Sequence, residues 1–275
     1  MTIHTALLQG QKLLESAGVS APRLTAEVLL AHAIGCERAW LFAHSGEELS
    51  ELWWIHYGRY LHQRMRGQPT QQISGRQEFY GREFRVTRDV LIPRPETEHV
   101  IEAVLALSPA PGCMVDIGTG SGAIAVTLAL ECQARVAATD ISEAALRLAA
   151  ANARALGAQV DFVACDLAAA LRNESFDLVV CNPPYVPSLD RATLQAEVRD
   201  WEPELALYGG EDGLDVYRRL IPEAARVLKP GGSLIMEIGY ALRDAVTALL
   251  AGWSNVEVRS DLAGLPRVLS AQAPH

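Results

Sequence analysis

No stretch of this chain approaches the roughly 18 consecutive apolar residues of a membrane-spanning helix. Its first residues also lack a basic region followed by an apolar core. A cytoplasmic protein without membrane contact is therefore expected. Basic residues are in short supply: 24 Lys/Arg stand against 33 Asp/Glu, a net charge of −9. Proteins that grip a nucleic-acid duplex draw much of their affinity from phosphate contacts, so direct nucleic-acid binding is not expected. The cysteines (Cys36, Cys113, Cys132, Cys165, Cys181) are odd in number, with no CxxC or Cys/His spacing. They are read as free, inert thiols, and no metal site is expected. His56 and His62 are read as helix-surface residues. No internal repeat or low-complexity tract is present.

What is there suffices for a substantial core: 275 residues, 49% of them hydrophobic, enough for about two domains. Residues 1–70 read as a small helical domain. Ile3, Ala6, Leu7, Leu13, Leu14 and Ala17 form one apolar stripe that stops at Gly18. A second helix opens at Pro22 and closes before Gly35, a third short piece carries Trp40, Leu41 and Phe42, and a longer one follows Ser50. The aromatic cluster on that last helix (Trp53, Trp54, Tyr57, Tyr60) is read as core. Acidic and basic residues balance in this segment, which does not suit a DNA-recognition domain. Residues 71–90 resemble a β-hairpin linker, with segments Ile73–Glu78 and Glu83–Thr87 around Phe79-Tyr80-Gly81. Pro95 then opens a helix running to about Leu107.

Residues 91–275 alternate strand and helix, which implies a doubly wound, Rossmann-like α/β sheet. Strands are expected at 113–117, 135–140, 160–165, 177–181 and 233–238, with a terminal pair at 255–260 and 266–272. Two stretches carry the chemistry. In the first, the apolar run Phe176–Cys181 ends at Asn182-Pro183-Pro184-Tyr185. Two prolines cannot continue a sheet, so the chain leaves the strand as a stiff turn at the end where open α/β sheets bind ligands. The Asn182 amide oxygen beside a backbone carbonyl suits an incoming –NH2 group, and Tyr185 can cover the flat group carrying it. The second stretch is Asp116-Ile117-Gly118-Thr119-Gly120-Ser121-Gly122, spaced GxGxG where a dinucleotide enzyme more often shows GxGxxG. A ligand without phosphate is expected there: the amino-acid part of S-adenosylmethionine over Gly118, Thr119, Gly120, Ser121 and Gly122. Asp140, ending the second strand, can accept from both ribose hydroxyls. Asp166 and Leu167 would bracket the adenine, and Asn182 closes the same crevice.

The Asn182–Tyr185 tetrapeptide resembles the signature of methyltransferases acting on planar amino groups. Taken with Leu91–Glu98 (LIPRPETE), Trp201-Glu202-Pro203, Gly209–Leu214, Lys229–Gly232, Glu237-Ile238-Gly239 and Asp261–Gly264, the chain resembles the bacterial release factor glutamine N5-methyltransferases over nearly its full length. That resemblance implies a class I methyltransferase fold, S-adenosyl-L-methionine as cofactor, and peptide chain release factors as protein substrates, methylated on the glutamine of a Gly-Gly-Gln motif. It also implies that Asn182 and the Pro183 carbonyl hold the glutamine amide, with Pro184 and Tyr185 packed beside it. A monomer is expected. The rival readings are a ribosomal-protein glutamine methyltransferase, a nucleic-acid amino-methyltransferase and a non-catalytic cofactor-binding scaffold.

Overall fold

The apolar stripes expected near the N-terminus become α1 (Ile3–Ser16), α2 (Pro22–Ile34), α3 (Arg38–Ala43) and α4 (Glu51–Met65) in a computed structural model, which describes residues 1–132 and 134–274. Ser50 caps α4 by accepting from the Trp53 N–H at 3.2 Å. A short helix α5 (Thr70–Ser74) follows. It takes Ile73 and Ser74 out of the expected strand, because Pro69 sets its start and Gly75, at φ +73°, ends it in the left-handed region. These helices belong to one compact unit, Met1–Arg76 with Gln195–Trp201. Its core gathers Ile3, Leu14, Leu29, Leu30, Leu41 and Tyr57. Gly10 leaves room for the Tyr57 hydroxyl, which a Cβ there would strike. The unit includes a sequence-distant segment. The helix Ala196–Trp201 contributes Glu197, paired with the buried Arg64, and the Trp201 carbonyl, which accepts from Gln72 Nε2 at 2.9 Å.

The second unit spans Gln77–Leu194 and Glu202–His275. A two-stranded hairpin, β1 (Arg76–Phe79) and β2 (Arg82–Arg85), leads to α6 (Glu98–Leu105). Then come β3 (Cys113–Ile117), α7 (Ala123–Glu131), β4 (Arg135–Asp140), α8 (Glu143–Leu156), β5 (Val160–Ala164) and β6 (Phe176–Cys181). After α9 (Ala196–Trp201), which lies in the first unit, the chain returns through α10 (Asp215–Val227), β7 (Leu228–Glu237), α11 (Arg243–Leu249), β8 (Ser254–Ser260) and β9 (Pro266–Gln272). The sheet has seven strands in the order β5-β4-β3-β6-β7-β9-β8, parallel except where β9 runs against β7 and β8.

Side chains alternate across this sheet with the period of two that strands impose. Val115, Val179, Cys181, Leu234 and Met236 join α10 and α11 on one face. Met114, Leu178, Val180 and Ile235 join α6 and α7 on the other. The strands are therefore apolar on both sides, as buried parallel strands must be. Lys229–Gly232 forms an irregularity in β7, where Phe176 pairs with Leu228 but Leu178 already pairs with Ser233. The hairpin is held by Asn152 of α8, whose amide accepts from the Arg85 N–H at 2.9 Å and donates to the Arg85 carbonyl at 3.0 Å.

Candidate active site

From β3 the chain first builds outward through β4 and β5, then returns to the other side of β3 with β6 and β7. The winding direction reverses between β3 and β6, and a crevice opens there beyond the strand ends. A cavity of about 320 Å³ occupies this position, within the roughly 300–1,000 Å³ of small-molecule sites. It is lined by Gly118, Thr119, Gly120, Ser121, Asp140, Asp166, Leu167, Asn182, Pro183 and Pro184. Four strand ends thus bring most of the sequence-predicted residues to one wall. Gly122 and Tyr185 do not line it: a Cβ on Gly122 would lie 3.0 Å from that of Ala149, so this glycine admits close packing of α7 on α8.

The glycine loop turns by left-handed steps at Gly118 (φ +75°) and Gly120 (φ +56°), conformations that side chains with a Cβ rarely adopt. A Cβ at either position would meet nothing within 4 Å, so the space above the loop is open for a ligand. Asp140 is pinned by backbone donors, accepting from the Gly120 N–H at 2.9 Å and the Ser142 N–H at 2.8 Å. Each carboxylate oxygen keeps acceptor capacity toward the cavity. Asp166 pairs with Arg219, a cavity-lining residue that sequence reasoning missed. Leu167 sits at φ +48°, and its carbonyl accepts from the Thr139 hydroxyl at 2.8 Å. Asp116 lies behind the loop, accepting from Thr119 Oγ1 at 2.7 Å and the Ala125 N–H at 3.2 Å. Its other oxygen, Oδ1, is buried without a partner. Burial pushes its carboxyl up to about 7, against the pull of those two donors.

The Asn182–Tyr185 turn is enclosed by the Gly209–Leu214 stretch. A Cβ on Gly209 would stand 2.7 Å from the Pro184 carbonyl oxygen, and one on Gly213 would stand 2.5 Å from that of Tyr185. Only glycine allows this approach, which is the physical content of that motif. The Gly209 N–H donates to the Val186 carbonyl at 3.0 Å and the Val186 N–H to the Leu207 carbonyl at 2.9 Å, locking the two segments together. Asn182 Nδ2 donates to Thr97 Oγ1 at 3.1 Å, Thr97 Oγ1 donates to Glu237 Oε2 at 2.6 Å, and the Tyr185 hydroxyl donates to Glu237 Oε1 at 3.2 Å. Burial, with the Glu237 charge adding, pushes the Tyr185 phenol well above its usual range. Arg94 lines the cavity and is held by the buried Glu202, which also accepts from the Ile92 N–H at 3.2 Å. Thr97, Glu202 and Glu237 were visible as members of sequence motifs, but nothing in the strings pairs them.

The donor and acceptor set fits S-adenosylmethionine: an open glycine cradle, the Asp140 carboxylate at the next strand end, and apolar walls from Ile141 and Leu167. Among the described residues no cluster of His, Cys, Asp and Glu could hold a metal ion, and no helix is long and apolar enough to cross a membrane.

Fold and site together define a class I, S-adenosylmethionine-dependent methyltransferase. Solved structures agree on the fold, among them a methyltransferase from Pyrococcus furiosus (TM-score 0.55, 19% identity, covering 71% of this chain and 91% of that one). The hMettl16 catalytic domain matches with TM-score 0.54 and 17% identity, over 68% of this chain and 74% of that one. Family models match at residues 5–75, the PrmC N-terminal domain, and at residues 99–198, the methyltransferase small domain. The release factor glutamine methyltransferase of Koribacter versatilis is 46% identical over 100% of this chain and 99% of its own length. That of Moorella thermoacetica is also 46% identical, over 98% of each chain. The chain belongs to the release factor glutamine methyltransferase family.

Proposed function

We propose that this chain methylates the side-chain amide nitrogen of the glutamine in the Gly-Gly-Gln motif of peptide chain release factors. The observation that supports this reading most is the meeting of the glycine loop, Asp140 and the Asn182-Pro183-Pro184 turn on one cavity. S-adenosylmethionine supplies an electrophilic methyl group on a sulfonium centre. Gly118–Ser121 would receive its amino-acid part, Asp140 its ribose, and Asp166 with Leu167 its adenine. An amide nitrogen is a poor nucleophile because its lone pair is delocalised into the carbonyl. Asn182 Oδ1 and the Pro183 carbonyl each accept one N–H of the glutamine amide, aim its nitrogen, and favour the positive charge that develops on it. Alignment and electrostatics then supply most of the acceleration. Pro184 and Tyr185 pack beside the bound side chain, and the proton released passes to water or a neighbouring oxygen.

A glutamine side chain offers few contacts, so recognition of one protein needs a larger surface. The helical domain, residues 1–70 in the sequence reading, takes that role, joined by the hairpin linker at 71–90 to the methyltransferase domain at 91–275. The acidic net charge of −9 suits a protein partner better than a nucleic acid. The reading takes the chain as a cytoplasmic monomer. Incubation with labelled cofactor and a purified release factor, followed by peptide mass analysis, tests it. Methylation at the Gly-Gly-Gln glutamine is expected; label appearing only on a ribosomal protein or a nucleic acid would overturn it.

A further inference from the structure

Thr97 ends a 3-10 turn (Pro95–Thr97) that runs directly into α6, with helical backbone angles (φ −68°, ψ −18°), and its hydroxyl makes no capping hydrogen bond. Instead the side chain is buried between Asn182 and Glu237, residues 85 and 140 positions away in the chain. Glu237 is itself buried at the end of β7, and the Tyr217 hydroxyl fixes its backbone by donating to its carbonyl at 2.9 Å.

Proton counting gives this arrangement a direction. Burial pushes the Glu237 carboxyl up, opposed by the Thr97 hydrogen bond, the Arg267 charge and the Tyr185 hydroxyl; in its carboxylate form it only accepts, so both hydroxyls reaching it, those of Thr97 and Tyr185, donate. The 2.6 Å separation from Thr97 is that of a hydroxyl on a charged acceptor. A hydroxyl carries one hydrogen. With that hydrogen on Glu237, Thr97 Oγ1 can only accept from Asn182, and it accepts from Nδ2. The two ends of an asparagine amide are nearly equal in shape, so packing alone does not choose between them. Here the choice is made chemically: Nδ2 is the end that meets Thr97, and Oδ1 is the end left free of it. We infer that Thr97 and Glu237 are positioning residues, a hydrogen-bonded relay that orients the Asn182 amide with its oxygen toward the methyl acceptor. The inference rests on the proposed role of Asn182 in holding that acceptor.

With the relay cut, the Asn182 NH2 group faces a methyl group instead of an acceptor. The amide escapes by turning over, which presents two N–H bonds to an incoming –NH2 group and repels it. Glu237→Gln acts in the same direction: its amide NH2 can donate to Thr97 and release the hydroxyl hydrogen toward Asn182 Oδ1. The same carboxylate anchors Tyr185, so one buried group sets both the amide and the ring of the turn.

Single-turnover methyl transfer in the full-length protein, at saturating cofactor and release factor, tests the relay. Thr97→Val, nearly equal in shape, should slow transfer roughly ten- to a hundred-fold, the range for a buried hydrogen-bond partner lost. Thr97→Ser should restore most of the rate, and calorimetric affinity for S-adenosylmethionine should be the same in all three proteins. In an Asn182→Ala background Thr97→Val should cost nothing further, because the relay acts only through that amide. A Thr97→Val protein transferring at the wild-type rate, or losses that add in the double variant, would overturn the inference. A second readout needs no substrate: the Asn182 side-chain NH2 signal, identified by its loss in Asn182→Ala, should exchange slowly in wild type and fast in Thr97→Val. Equal exchange in both also overturns it. A wild-type enzyme that left release factors unmethylated would break the functional reading, while the exchange measurement would still decide the relay.

Discussion

Asp140 and Asn182 line one cavity and are held in opposite ways. Asp140 receives two backbone N–H groups, from Gly120 twenty residues earlier and Ser142 two residues later. Asn182 is held by side chains only, Thr97 directly and Glu237 behind it. Backbone donors come with the loop and do not depend on which side chains the loop carries. A side-chain relay depends on each member. On the proposed reading, the Asp140 end of the site is therefore built to tolerate substitution around it, whereas the Asn182 end is sensitive to residues far away in the sequence.

Substitutions break this comparison at different depths. The deepest is Asn182→Ala, which removes an acceptor and should lower single-turnover transfer on the order of a hundred-fold, by analogy with oxyanion-hole deletions. Cofactor affinity should be retained; a variant that is folded and still fast removes Asn182 from the chemistry. Asp140→Ala should do the reverse, weakening S-adenosylmethionine about ten- to over a hundred-fold through lost charge-assisted hydrogen bonds. Titration calorimetry reads this directly, and an unchanged dissociation constant would place the ribose elsewhere.

Smaller effects sharpen the contrast between the site and its surroundings. Arg64→Ala leaves Glu197 without its buried partner and should cost roughly 1–3 kcal/mol of stability, less than for a fully buried pair because Glu197 is partly exposed. Chemical denaturation measures the loss, with S-adenosylmethionine affinity unmoved; a fall in affinity would tie this pair to the cofactor site. A further expected effect is a pH dependence at Asp116. Its folded carboxyl titrates near 7 against an ordinary 3.8, so below about 3.8 both folded and unfolded states hold the proton. As pH rises to about 7 the unfolded state loses its proton first, and stability from this group falls. Asp116→Asn cannot ionise, so its melting temperature relative to wild type should rise between pH 4 and 7 and level off above. A flat difference would mean that Asp116 is ionised in the folded protein throughout.

Strand positions along residues 113–272 were legible because their periodicity is strong there and Gly or Pro marks most boundaries, but the short helix Ala196–Trp201 was not. The terminal antiparallel pair was legible for the same reason, whereas Lys229–Gly232, read as a turn before a strand starting at 233, lies within β7 as an irregularity. The helical segment was legible down to its Ser50 cap, but Ile73 and Ser74 were misread as strand, since a five-residue helix is too short to show a period. Asn182 and the glycine loop announce themselves as local strings. Arg219, the pairing of Arg94 with Glu202, and that of Thr97 with Asn182 and Glu237 do not, because the partners lie far away in the chain.

The sequence by itself determined the elements, the family and the residues at the strand ends, because hydrophobic period, glycine and proline act over a few residues. Only the tertiary structure decided that Ala196–Trp201 belongs with the helical unit, that Gly209 and Gly213 wrap the Asn182–Tyr185 turn, and which end of the Asn182 amide meets Thr97. Each of these depends on where hydrogen-bond partners and steric room fall once distant segments meet, and no local pattern encodes that.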